Sequence, residues 1–132
     1  LEREPSDPYR VIWLYLTSVD INNEQAKKAL SENVRELDKS EWGYQIVQLF
    51  LGNLDVDEFR KRMTQQLGED EQLTERLCEA YFYLGKYMQL NNKPLDAMNY
   101  FKLALSTNVY EFVEHRYASV ELDRVRQSLI NR

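Results

Sequence analysis

The chain has 132 residues, enough for one domain with a real core, and 43% apolar with 12% aromatic residues argues against disorder. Its 17 basic and 22 acidic residues leave a net charge of −5, the wrong sign for releasing counterions from nucleic acid or for attraction to anionic lipid. One cysteine, Cys78, excludes an internal disulfide, and with a single histidine, His115, it falls short of the ligand set of a structural zinc site, so no metal and no cofactor is expected.

No apolar run approaches the roughly 18 residues of a membrane span. The opening LEREPSDP reads as the tail of a helix ended by Pro5 and Pro8, and the chain is expected to be a fragment of a longer protein. The next stretch, VIWLYL at 11–16, is six apolar residues that suit a buried strand or a helix. Helix is expected, because no other segment offers a strand partner and an isolated strand leaves its backbone groups unpaired.

From there the period is helical. Ala26, Ala29, Leu30, Val34 and Leu37 form one stripe, Trp42, Ile46, Leu49 and Phe50 the next, and Val56, Phe59, Met63 and Leu67 a third. Leu73, Leu77, Ala80, Leu84 and Met88 follow, then Ala97, Phe101 and Ala104, and last Ala118, Leu122, Val125 and Leu129. Gly52 and Gly68 stand where a helix ends in a left-handed residue. Asn22, Ser40, Asp55, Asp70 and Pro94 stand where helices begin, and EDE at 69–71 suits the positive end of a helix dipole. Short gaps between such helices make neighbours antiparallel, so the expected fold is all-α, a series of stacked helical hairpins.

One hairpin carries a stronger signal. Tyr81, then Leu84 and Gly85, then Ala97, Phe101 and Ala104 resemble a tetratricopeptide repeat (TPR), a helix-turn-helix of about 34 residues. In that pattern Gly85 and Ala97 face one another where two helix backbones come closest, and Phe101 fills the space toward the next hairpin. Met88 replaces the usual tyrosine and Val109 the usual proline, departures expected to loosen the hairpin that follows. The single domain 1–132 then reads as a TPR-like α-solenoid. Its best repeat is 78–109, its degenerate hairpins are 8–37 and 40–67, and a C-terminal capping helix covers 110–131. The 40–67 hairpin has Trp42 but no evident pair of small residues.

DPYRVIWLYL (7–16), SEWGYQIVQLFLGN (40–53), FYLGKY (82–87) and NVYEFVEHRYA (108–118), in this order, resemble the C-terminal part of the NlpI-type TPR lipoproteins of Gram-negative bacteria. That resemblance implies an outer-membrane lipoprotein facing the periplasm, homodimeric when whole, and without catalysis of its own. It also implies an adaptor that binds murein endopeptidases, notably the MepS type, and presents them to the tail-specific protease Prc. The lipid anchor and signal would lie upstream of Leu1.

In such a stack the first helices line a concave face, and in the best repeat Glu79, Phe82, Lys86 and Gln89 are expected to point into it. The alternative is that these four are only solvated rim. Cys78 and His115 raise a nucleophile-and-base reading, but no glycine-rich elbow offers an oxyanion site, and a small core thiol with a packing imidazole is the expected role. Two functions compete: a protein-binding adaptor, and an assembly or capping module whose partners bind elsewhere in the parent chain. No enzyme activity is expected.

Overall fold

A computed structural model describes residues 8–19, 22–37, 42–65, 73–109 and 113–130. Ser40, Leu67, Gly68, the EDE run with Asp70, and Pro5 lie outside the described residues. Among those described the fold is all-α with no strand: α1 (Pro8–Ser18), α2 (Asn23–Asn33) followed by a 3₁₀ turn (Val34–Glu36), α3 (Trp42–Leu51), α4 (Val56–Arg62), α5 (Leu73–Leu90), α6 (Pro94–Ser106) and α7 (Val113–Ile130). The chain divides into two compact units, residues 1–59 and 60–132, with the division inside α4 rather than at a gap between expected hairpins.

In the first unit VIWLYL is helical, and α1 buries Val11, Ile12, Tyr15 and the following Val19. Pro8 opens α1, where its fixed φ suits the first turn and its missing N–H costs nothing, while the upstream helix it was expected to end lies outside the described residues. Asn22 caps α2 by accepting a hydrogen bond from Gln25 N at 3.1 Å, and Asp55 caps α4 by accepting one from Glu58 N at 2.8 Å. The expected α2 stripe is only partly realised. Ala26 and Leu30 are buried and Ala29 is exposed, since the helix gives way to the 3₁₀ turn before Leu37 returns to the core.

α3 packs against α1 and α2, with Tyr15 and Phe50 at a ring separation of 5.8 Å and Trp42 reaching Phe59 of α4 at 5.1 Å. Gly43 is the close-approach point. A Cβ there would lie 2.5 Å from Pro8 Cγ, so only a glycine lets the head of α1 rest on α3. The small residue missing from the 40–67 reading is therefore present, but its partner is on α1. At the far end α3 closes with Gly52 at φ +83°, and Gly52 N and Asn53 N donate to Leu49 O and Gln48 O at 3.1 and 3.0 Å. That pair of bonds is a Schellman closure.

The second unit is built on α5, α6 and α7, with α6 packed against both of the others. Cys78, Ala80, Phe82, Tyr83, Leu84 and Met88 of α5, Ala97, Phe101 and Ala104 of α6, and Ala118, Leu122 and Val125 of α7 are buried. Three-residue links force α5 and α6 into a hairpin, and the link closes like that of α3. Asn92 takes φ +58° while Asn92 N and Lys93 N donate to Gln89 O and Met88 O at 3.1 and 2.9 Å. Pro94 then begins α6 as expected.

The geometry at Gly85 departs from the expectation in one respect. A Cβ on Gly85 would lie 2.4 Å from Phe101 Cε1 and 2.6 Å from Phe101 Cδ1, and its three nearest neighbours all belong to that ring. The glycine thus seats the Phe101 ring against α5. Phe101 is fully buried and also meets the Phe82 ring of the same hairpin at 6.0 Å. Met88 and Val109, the two departures from the repeat pattern, are both buried, so neither leaves a hole. Asn108, at φ +58° with its N–H donating to Leu105 O at 3.2 Å, ends α6 in place of a proline.

Candidate functional site

The α5–α7 seam gathers the charged and amphipathic groups of the second unit. Glu121 of α7, buried, is held from both sides: Lys86 Nζ of α5 approaches Glu121 Oε2 at 3.4 Å, Gln89 Nε2 donates to the same oxygen at 3.0 Å, and Arg124 Nη1 donates to Oε1 at 3.0 Å. A carboxylate taken this far from water is tolerable only because cations and donors surround it. Tyr83 Oη lies 3.5 Å from Glu114 Oε1, a longer contact along the same seam.

Of the four residues expected on a concave face, Lys86 and Gln89 sit at this seam and Glu79 is half-buried on α5. Phe82 does not belong with them. It is 1% exposed, with its ring 5.1 Å from Tyr83 and 6.0 Å from Phe101, so it is part of the core. Two helices pack on α5, and a large apolar ring at this register gains more from burial between neighbours than from lining a wet groove. The repeat-pattern residues Leu84, Gly85, Ala97, Phe101 and Ala104 are buried, while Tyr81 is half-buried and stacks on Tyr100 at 6.2 Å.

Reasoning from α5 alone missed the contribution of α7. Tyr117 and Val120 are 46% and 44% exposed, and with Arg124 they repeat at i, i+3 and i+7. Glu121, four residues after Tyr117 and three before Arg124, ties that stripe to α5. The signal was in the sequence, as apolar residues standing off the buried stripe of Ala118, Leu122 and Val125. At the end of the seam Gln89, Asn92, Pro94, Arg124, Val125 and Ser128 line an open cleft of about 300 Å³.

Cys78 and His115 are each engaged elsewhere. Burial pushes the Cys78 thiol up to about 11 against an ordinary 9.0, a Thr107 hydrogen bond opposes that rise, and Glu114 and Glu79 add to it. A thiol held protonated in this way is a poor nucleophile. His115 is buried with Nε2 3.1 Å from Leu105 O, which ties α7 to the end of α6. Among the described residues no group of three or more His, Cys, Asp or Glu is placed to hold a metal ion, and no helix is long and apolar enough to cross a membrane.

No protein-family model matches the chain.

Proposed function

We propose that this chain is a non-enzymatic protein-binding adaptor of TPR-like architecture, and that the α5–α7 seam is its contact face. The observation that carries the reading is a seam cross-linked through Glu121, with an exposed tyrosine and valine beside its charges. Tyr117, Val120 and Arg124 stand on α7 next to the Lys86–Glu121 pair, which holds the two helices in register. Amphipathic rings and guanidinium groups on a fixed scaffold are what protein interfaces use for their strongest contacts.

The resemblance to NlpI-type lipoproteins supplies the finer reading: a periplasmic adaptor at the outer membrane, homodimeric when whole, that brings murein endopeptidases of the MepS type to the protease Prc. Biolayer interferometry of the purified chain against each of these two proteins tests it. Tyr117→Ala and Val120→Glu, both at exposed positions, are expected to weaken binding by more than about 1 kcal/mol each. Binding to neither protein, or unchanged binding by both variants, would sink the proposal. Phe82→Ala is not a useful probe, since loss of a core ring confounds folding with binding.

A second reading has its own support. α7 packs on α5 and α6 and turns Arg116, Ser119, Asp123, Arg126 and Gln127 outward, as a helix that caps a solenoid does. A capping module folds cooperatively and binds neither protein.

A further inference from the structure

We propose that the cleft beside the α5–α6 turn binds a carboxylate carried on an extended peptide, at the chain end or on an acidic side chain. The inference rests on the protein-binding reading and adds a chemical preference to it. At about 300 Å³ the cleft is at the small end of ligand pockets, suited to one terminal group rather than to a whole segment. Acidic residues outnumber basic ones 22 to 17 in the chain, yet among the described residues no carboxylate lines this cleft.

The donors in it are complementary to a carboxylate. Arg124 has a side chain 71% exposed, and among the described residues its one partner is Glu121, which takes Nη1. A guanidinium carries five N–H donors, so the rest of the fork remains for a second carboxylate. Glu121 does not cancel it, because Lys86 shares that charge and leaves Lys86, Glu121 and Arg124 together at +1. The Asn92 amide and the Ser128 hydroxyl, both exposed, add neutral donors. Gln89 is oriented by its Nε2 bond to Glu121, and this leaves its Oε1 as a buried acceptor with no hydrogen-bond partner.

The test is a titration of the isotope-labelled full chain, followed by amide NMR, with three peptides: N-acetyl-pentaalanine as the free acid, the same peptide as its C-terminal amide, and N-acetyl-Ala-Ala-Glu-Ala-Ala amide. At least one carboxylate peptide is expected to shift the signals of Asn92, Arg124 and Ser128, and which one does so tells chain end from side chain. The pentaalanine amide is expected to leave them in place. Arg124→Gln, at an exposed position, is expected to weaken the response at least about tenfold, or about 1.4 kcal/mol. Arg116→Gln, which removes the same charge outside the cleft lining, is expected to change nothing. Equal shifts with the amide, no shifts at millimolar peptide, or full binding by Arg124→Gln would each overturn the assignment. A chain that captures its protein partner through Tyr117 and Val120 but ignores all three peptides overturns the cleft alone. Peptide binding without protein capture overturns the adaptor reading alone.

Discussion

The two units solve one packing problem with different partners. In each, a glycine on a helix makes room for a ring: Gly43 for the pyrrolidine of Pro8, and Gly85 for the phenyl of Phe101. Each also closes a helix with a left-handed residue and the same two backbone bonds, Gly52 in the first unit and Asn92 in the second. The difference is distance along the chain. Gly85 and Phe101 belong to one hairpin, whereas Gly43 and Pro8 belong to helices with another helix between them. A local pairing repeats at a fixed offset and can be recognised from spacing; a non-local one has no offset to read.

The largest expected effect separates the units by the size of the ring. Phe101→Ala should cost about 3–5 kcal/mol, read by urea unfolding, because an enclosed phenyl is replaced by a cavity. Next comes the pair of glycines. Gly85→Ala drives a methyl to 2.4 Å from an enclosed ring and should cost at least about 1–3 kcal/mol. Gly43→Ala should cost less, since Pro8 is at the head of its helix and the first turn can shift. If Gly43→Ala proves the more damaging, the first unit is the more tightly locked and the comparison reverses.

A third prediction concerns pH and belongs to the second unit only. The Cys78 thiol titrates at about 11 when folded and near 9.0 when unfolded, so between those values the folded state holds the proton that the unfolded state has lost. Its contribution is therefore complete below pH 9.0 and declines as pH rises toward 11, by at most about 3 kcal/mol in all. The loss of stability across that window, measured by urea unfolding, should be steeper for the parent than for Cys78→Ala. Parallel slopes would mean that the thiol is not buried. The smallest effects sharpen the first unit: Asn22→Ala and Asp55→Ala should each cost about 1 kcal/mol by loss of a helix cap, measured by thermal melts.

Local chemistry explains most of what was readable in advance. The helical class, the caps Asn22 and Asp55, the closing Gly52, and the opening Pro94 all follow from residues within a few positions of one another. Asn92 and Asn108 escaped notice because the search for left-handed closures looked for glycine, although asparagine also tolerates that conformation. The candidate site was half legible. Lys86 and Gln89, expected to line a concave face, meet Glu121 of α7, Phe82 is core, and Tyr117, Val120 and Arg124 went unrecognised, because exposure on α5 is decided by what α7 covers.

By itself the sequence determined that this protein is helical, where several of its helices begin and end, and that Gly85 marks a close approach, since those outcomes depend on backbone preferences and on spacing within one hairpin. Only the tertiary structure decided that Gly43 receives Pro8, that Phe82 is withdrawn from solvent, and that Glu121 binds two helices together. Each of these depends on which distant surfaces meet, and burial changes the energy of a ring or a charge far more than its neighbours in the chain do.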